Sequence, residues 1–466
     1  MSVLECDVAI IGAGTAGLAA ERNARRHGAH TMLIDPYFAG TVCATVGCMP
    51  SKLLIAAARS AERARQADEF GVMVGEVQID GPAVMERLRY HRDRFARVTR
   101  KSFADLPDGT CIEGRATFTG PSTLSLDNGD RIEAKAIVIA TGSAPSVPEP
   151  YQGLGDRVLT NQTIFELEDL PESLAVIGGG VIGVELAQAM ARLGVRVSLF
   201  DAETRLAQVR HDGVHDALKS ALMEDLDLHL GVTPSPEEAD EGIRLSWNNQ
   251  SEVFDRVLVA TGRPPSMDGL NLEVTGLTLD DQGMPKINPD TMQCEHSAIF
   301  VAGDANAARP VLHEASDEGG IAGLNAAAHP AVIQSARSVA LTMTFTEPAL
   351  VSVGTGPDDV DFSAIADYSS QGRATVEGEN QGLAVLYASA PDGCLVGADL
   401  CCPGAEHLGH LIAWAVTKEM TAHDLLSMPI YHPTLEEGLK PALQEICNAA
   451  EVSIRNDRDT GVPSGG

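Results

Sequence analysis

Residues 40 to 52 read GTVCATVGCMPSK and set two thiols, Cys43 and Cys48, five positions apart, with Pro50 and Lys52 close behind. Such a pair could clip a metal, staple a loop or exchange electrons. A structural zinc site draws on two close-spaced ligand pairs, and no CxxC pair accompanies these cysteines. A static disulfide across so short a loop is out of place in a reducing compartment, and an inert buried pair is the ordinary alternative. Redox exchange needs a thiolate, and the surroundings favour one. The run SKLLIAAARSAERARQ that follows is helix-forming, Pro50 suits the first turn of that helix, and the positive end of a helix dipole lowers a thiol pKa. Exchange also needs a base, since an ordinary thiol pKa of about 8.5 leaves little thiolate at neutral pH; histidine fits that need. On spacing alone, redox exchange and inert packing both stay open.

The elements that would position this chemistry come from an internal duplication. DVAIIGAGTAGLAAERNARRHGAHTMLID (7–35) reads as an apolar strand, a turn at Gly12, Gly14 and Gly17, a helix, and a second strand ending on Asp35. LAVIGGGVIGVELAQAMARLGVRVSLFD (174–201) repeats the pattern with Gly178, Gly180, Gly183 and Asp201. In both copies the acid lies eighteen positions after the third glycine, so helix and second strand match as well as the turn. Glycines admit a pyrophosphate to the backbone, the helix N-terminus supplies N–H groups, and the acid accepts ribose hydroxyls. One such fingerprint is weak; two, each in a full βαβ setting, predict two dinucleotide sites. At the second, the Asp201 carboxylate would repel a 2′-phosphate and Ala202 stands where a phosphate reader would want arginine, with Arg205 farther on; NAD is favoured. A further repeat, AIVIATGSAP (136–145) and RVLVATGRPP (256–265), reads as a buried strand leaving a parallel sheet. Between Cys111 and Ala134, alternating runs around the turn DNGD predict a β-meander.

Composition sets the outer bounds. The 466 residues, 44% of them apolar, suit several domains with large cores. Nine cysteines, an odd and scattered count with no leader pattern before the first strand, point to a reducing cytoplasmic setting. Runs such as VAIIGAG end in glycine turns, far short of a membrane span. Thirty-four Lys and Arg against sixty-five Asp and Glu leave a net charge of −31, which repels nucleic acid and anionic lipid.

With these motifs in hand, the chain resembles the pyridine nucleotide-disulfide oxidoreductases, the flavoprotein family of dihydrolipoamide dehydrogenase, glutathione reductase and mercuric reductase. The two fingerprints, the Cys-x4-Cys segment, IFVAGDANAARPVLHEASDEG (299–319) and YHPTLEEG (431–438) carry the resemblance over nearly the whole chain. It implies an α/β fold with two Rossmann-like domains, one for FAD and one for NAD, and an α+β C-terminal dimerisation domain. The implied boundaries are 1–149 for the FAD domain with its meander at 111–134, 150–268 for the NAD domain, 269–337 returning to the FAD domain, and 338–455 for the interface; 456–466 is expected to be a disordered tail. Cys43 then exchanges with the substrate thiol, and Cys48 lies against the flavin as the charge-transfer thiolate. Lys52 pairs with Glu185 near flavin and nicotinamide; an unpaired Glu185 among small apolar residues would be costly, so a partner is expected. Asp304 holds the ribityl chain, and Ala116, Ser143, Gly262 and His313 complete the cofactor contacts. His432, oriented by Glu437, is the base, reaching the disulfide of the other subunit of a homodimer. No metal is expected.

The resemblance also locates departures. The family's Gly-Gly-Thr-Cys is Gly40-Thr41-Val42-Cys43 here, which changes the loop where the chain passes FAD. Thr45 stands for the usual asparagine, and both nucleotide strands end in Asp instead of Glu. Val181 occupies the place of a glutathione-reductase tyrosine, and HPTL resembles dihydrolipoamide dehydrogenases, implying lipoamide or a lipoyl domain as the dithiol partner. Those enzymes usually read His-Ala-His-Pro where this chain has Ile430-Tyr431-His432-Pro433, and Tyr431 would reshape the lipoyl channel or pack at the dimer seam. Cys401 and Cys402 read as structural, since adjacent cysteines form a disulfide only under strain.

Overall fold

The computed structural model describes residues 2–454, so the tail expected at 456–466 lies outside the described residues. The chain opens on β1 (Val3–Ile11), α1 (Thr15–Arg26) and β2 (Thr31–Asp35), then a single helical turn α2 (Val42–Thr45), the long α3 (Cys48–Arg65) and α4 (Gly81–Ala104). Strands β3 (Cys111–Glu113), β4 (Ala116–Gly120), β5 (Thr123–Leu126) and β6 (Arg131–Ile139) follow. Next come β7 (Val158–Leu159), β8 (Ser173–Ile177), α5 (Val181–Arg192), β9 (Arg196–Asp201), α6 (Asp212–Asp225) and β10 (Asp227–Leu230). After them run β11 (Ser235–Ala239), β12 (Gly242–Trp247), β13 (Gln250–Phe254), β14 (Arg256–Val259), β15 (Ile299–Val301) and α7 (Leu312–Ala328). The last stretch holds β16 (Leu341–Thr344), β17 (Leu350–Gly354), β18 (Phe362–Asp367), α8 (Gly372–Glu377), β19 (Leu383–Ser389), β20 (Cys394–Cys401), α9 (Ala405–Thr417), α10 (Ala422–Leu426) and α11 (Lys440–Ala449).

The chain divides into two compact units. The first takes the residues up to Ser51, Glu86–Ser146 and Gly262–Arg337. Its seven-stranded sheet runs β3-β2-β1-β6-β5-β4, with β15 also paired to β6. Strand β6 forks between two environments, and its sequence shows it. The first half, Arg131–Glu133, pairs antiparallel with β5 and alternates exposed and buried; the second half, Ile137–Ile139, lies between parallel β1 and β15 and is buried throughout. The meander therefore consists of β4, β5 and the start of β6. Cys111–Glu113 lies outside it, pairing parallel with β2 on the opposite edge, because its three residues extend the parallel sheet. Helix α7 lies against α1 at glycine contacts: a Cβ on Gly319 or Gly323 would stand 2.2 Å from the Ala16 or Ala20 carbonyl oxygen.

The second unit takes Lys52–Met85, Val147–Thr261 and the residues from Ser338 onward. Its parallel sheet runs β10-β9-β8-β14-β7, β11 to β13 form a small antiparallel sheet, and β16-β17-β20-β19-β18 form another. Residues of α9 and α11, among them Leu408, Ile412, Leu443 and Ile446, pack with Val351, Leu386 and Leu400 of the last sheet as one apolar core. Arg210, just before α6, joins this sheet to the nucleotide-type sheet: its Nε and Nη2 reach the buried Asp399 Oδ1 at 3.0 and 2.7 Å. Tyr387 and Ser352 donate to the same carboxylate, so the buried charge is fully partnered.

One helical run, Val42–Phe70, has the length and composition of a membrane crossing, which the strand-by-strand reading of apolar runs did not anticipate. Two of its cations are engaged in ion pairs within the fold: Lys52 with Glu185 at 2.8 Å and Arg59 with Glu347 at 2.9 Å.

Candidate functional site

The thiol segment folds as two short steps of helix. Thr41 caps α2: its Oγ1 accepts from the Ala44 N–H at 3.3 Å, and its carbonyl accepts from the Thr45 hydroxyl at 2.9 Å. The residues that depart from the family loop thus build the turn carrying Cys43. Gly40 before it adopts φ +118°, a conformation glycine adopts without strain. Cys48 is the first residue of α3 and is exposed, with Pro50 buried in the first turn, where no acidic side chain opposes the helix dipole. The other seven cysteines are free thiols. Burial pushes Cys6, Cys294 and Cys401 up to about 12 and Cys402 well above the ordinary thiol range, so these are unreactive at neutral pH.

In the same unit, the first glycine turn closes against the end of β6. A Cβ on Gly12 would stand 2.4 Å from the Ala140 carbonyl oxygen, and one on Gly17 only 1.8 Å from that of Gly12. Around Gly14, by contrast, there is open space, and Gly14 caps α1 with no side chain covering the first N–H groups and no acid in the first turn. Beside the turn, the Thr141 hydroxyl is buried without a partner. An open N-terminus, a cradle too tight for any side chain and an orphaned hydroxyl fit a dinucleotide such as FAD. Asp35 binds the turn: Oδ2 accepts from Ala13 N–H at 3.1 Å and Oδ1 from Tyr37 and Phe38 N–H at 2.9 and 2.8 Å.

Asp304, in the turn after β15, accepts from the Ser143 hydroxyl at 2.8 Å and pairs with Arg263 Nη2 at 3.2 Å. Both Ala-Thr-Gly repeats therefore deliver their next residue to one carboxylate. From α7, Glu318 Oε2 takes the Gly303 N–H and the Asn306 amide at 2.8 and 2.6 Å, and Arg337 closes the network on Glu314 and Glu318. Burial acts to raise the Glu314 pKa, but the hydrogen bonds from Arg337 and Arg309 outweigh it and hold the carboxyl below its ordinary value. Of the remaining expected contacts, Ala116 is buried at the start of β4, Gly262 adopts φ +143° after β14, and His313 is exposed on the first turn of α7.

The second unit repeats the turn. A Cβ on Gly178 would meet the Ala260 oxygen at 2.5 Å and one on Gly183 the Gly178 oxygen at 1.9 Å, whereas Gly180 faces open space at an uncapped α5. Asp201 Oδ2 accepts from Gly179 N–H at 2.5 Å and Oδ1 from Glu203 N–H at 2.8 Å. Arg205 points to Asp212 and to the Val209 carbonyl, so its charge is matched within its own loop. Glu185, 5% exposed on α5, holds Lys52 Nζ at 2.8 Å with Oε2 and accepts the Phe345 N–H at 2.9 Å with Oε1. The Lys52 ammonium also lies 4.3 Å from the centre of the Phe345 ring. Val181, the first residue of α5, is exposed.

In the C-terminal sheet's domain, His432 Nδ1 lies 3.0 and 3.1 Å from the two Glu437 carboxylate oxygens. Glu437 is buried, while the His432 side chain is 63% exposed. Tyr431 beside it is 83% exposed. Sequence reasoning passed over Arg263, Phe345 and the side chains under the His432 loop, because each acts through a backbone or a partner far along the chain. It also passed over an HxxxH spacing at His211 and His215; His211 Nδ1 accepts the Gly213 N–H as the cap of α6, and among the described residues no cluster could hold a metal.

The chain matches two family descriptions, "Pyridine nucleotide-disulphide oxidoreductase" over residues 6–341 and its "dimerisation domain" over 341–443. Among curated proteins it is 30% identical to the dihydrolipoyl dehydrogenase of Geobacillus stearothermophilus, over 93% of this chain and 94% of that one. It is 31% identical to the mercuric reductase of Staphylococcus aureus, over 94% of this chain and 81% of that one. Among solved structures, LpdA from Mycobacterium tuberculosis superposes with a TM-score of 0.82 at 22% identity, covering 95% of this chain and 99% of that one. The HOCl-induced flavoprotein disulfide reductase RclA from Escherichia coli gives 0.81 at 20% identity, covering 94% and 99%. These last two share the fold.

Proposed function

The chain belongs to the pyridine nucleotide-disulphide oxidoreductases, FAD-containing and NAD(P)H-dependent enzymes, and from that membership we propose that it oxidises dihydrolipoamide with NAD+. The observation that carries the reading is Cys48 at the exposed first turn of α3, in one compact unit with Cys43, the Gly12 turn and Asp304. His432, oriented through Nδ1 by Glu437, takes a proton from a substrate thiol at Nε2. The thiolate attacks Cys43 Sγ, the Cys43–Cys48 bond breaks, and its electron pair leaves on Cys48. The second substrate thiol displaces Cys43 and closes the substrate disulfide, returning Cys43 as a thiol. FAD, when bound, supplies the two-electron carrier between the cysteine pair and the nicotinamide. The sum is dithiol plus NAD+ giving disulfide, NADH and one proton.

In this reading the Gly12 turn, Ser143 and Asp304 hold FAD, and the Gly178 turn with Asp201 holds NAD+, whose ribose hydroxyls suit a carboxylate that a 2′-phosphate would not. Arg205, already matched by Asp212, leaves that preference in place. Lys52 and Glu185 supply a neutral pair beside the nicotinamide. The dimer lets His432 serve the disulfide of the other subunit, and the seven free thiols suit the reducing cytoplasm. Anaerobic addition of dihydrolipoamide should bleach the flavin and raise a long-wavelength absorbance band, and Cys48→Ser should abolish both. A Cys48→Ser protein that turned over dihydrolipoamide normally would sink the scheme. A second reading, reduction of another low-molecular-weight disulfide, draws on the exposed Tyr431 ahead of His432. Comparing lipoamide with glutathione-type disulfides as NADH-dependent substrates separates the two.

A further inference from the structure

His432 stands 63% exposed, yet a base must sit within a few tenths of an ångström of its target to act. Among the described residues its side chain is anchored by Glu437, and the backbone between the two must be fixed as well. That backbone is held from the segment joining β18 to α8. The Tyr368 hydroxyl, on a fully buried ring, donates to the Leu435 carbonyl at 3.0 Å. Burial raises the phenol well above its ordinary pKa, which keeps it a donor. The same ring sits against Gly438, where a Cβ would come within 2.8 Å of its Cζ. Three residues on, Gln371 works in two directions: Oε1 accepts the Ala374 N–H at 2.8 Å, capping α8, and Nε2 donates to the Thr434 carbonyl at 2.8 Å. Thr434 in turn donates its hydroxyl to the Tyr431 carbonyl at 2.8 Å. The loop is thus tied to Tyr368 and Gln371 at Thr434, Leu435 and Gly438, and through Thr434 at Tyr431.

We propose that Tyr368 and Gln371 are positioning residues for the His432–Glu437 pair, setting the base through the carbonyls of Thr434 and Leu435. The proposal rests on the reading of His432 as the thiol base, so the test separates the two. Holoenzyme is mixed anaerobically with dihydrolipoamide or dithiothreitol, and flavin bleaching is followed; the same protein is mixed with NADH, a half-reaction that does not use His432. Tyr368→Phe and Gln371→Leu should each slow the dithiol half-reaction about tenfold while leaving the NADH half-reaction within about twofold of the parent. Added to His432→Gln, Tyr368→Phe should slow the dithiol step no further, because residues acting through one group are not additive. A dithiol rate within about twofold of the parent in both variants would overturn the proposal. So would equal slowing of both half-reactions, or a further loss in the His432→Gln background. If His432→Gln alone left the dithiol step intact, the base reading would fall and the proposal with it.

Discussion

The two glycine turns are built alike and covered differently. In each, the first glycine presses on the carbonyl after an Ala-Thr-Gly strand, the third presses on the first, and a terminal Asp takes backbone N–H groups from the turn. The difference lies at the middle position. Ala13 of the first turn is buried with room for its methyl, whereas a Cβ on Gly179 would stand 2.7 Å from Asp201 Oδ2 and 2.8 Å from Leu206. In the second copy the loop after the acid folds back over the turn, with Ala207 N–H on the Gly179 carbonyl at 2.7 Å. Ala207 and Gln208 adopt φ of 48° and 55° to do so, which non-glycine residues accept at a cost of about 1 kcal/mol each. The same fingerprint thus leaves room for a methyl at the middle position of one copy and none in the other.

Substitution at the shared first glycine tests the likeness most severely. Gly12→Ala puts a methyl into the Ala140 carbonyl at positive φ, and the purified protein is expected to lose its flavin absorbance. Gly178→Ala should keep the flavin but slow its reduction by NADH at least a hundredfold at limiting NADH, a loss of about 3 kcal/mol. If both variants lost flavin equally, the two turns would not serve separate nucleotides. Next in size, Gly179→Ala should raise the NADH KM about tenfold, while Ala13→Gly changes flavin affinity by less than about 1 kcal/mol. Equal effects would erase the distinction between the two middle positions.

The acids should differ less. Asp201→Asn removes a charge-assisted acceptor worth roughly 1–2 kcal/mol and should narrow the preference for NADH over NADPH, read as the ratio of kcat/KM values. Asp35→Asn should weaken flavin retention with no change in that ratio. The smallest effect is in acid. The folded Glu314 pKa is depressed, so its contribution to stability is complete above the unfolded value of about 4.3 and is lost as pH falls through the folded one. The melting temperature followed by flavin release should therefore fall below about pH 4.3, and Glu314→Gln should flatten that slope.

Much of this was legible in the chain itself, wherever a residue acts on its neighbours. The duplicated turns, their acids and the helix start at Cys48 all lie within one βαβ unit or a few positions, so spacing carries the geometry; His432 and Glu437 stood out only through the family resemblance. Glu185 was legible for another reason: a carboxylate among small apolar residues must find a cation, and Lys52 supplies it 133 positions away. What spacing could not show is the carbonyl-directed support. Tyr368 and Gln371 donate to backbone atoms 67 and 63 positions on, and no side-chain type is required of the acceptor. Arg263 was likewise hidden, since the antiparallel bridge between Ser143 and Pro265 sets it beside Ser143, and both then reach Asp304.

The sequence by itself determined where the nucleotide turns and the thiols would stand, because glycine conformations and helix dipoles depend on residues a few positions apart; the base stood out only through the family resemblance. Only the tertiary structure decided that one turn has room for a methyl at its middle position and the other has none, and that the loop carrying an exposed histidine is held by Tyr368 and Gln371. Those outcomes rest on hydrogen bonds to backbone carbonyls and on the space left for a single methyl, and both are set by how distant segments pack.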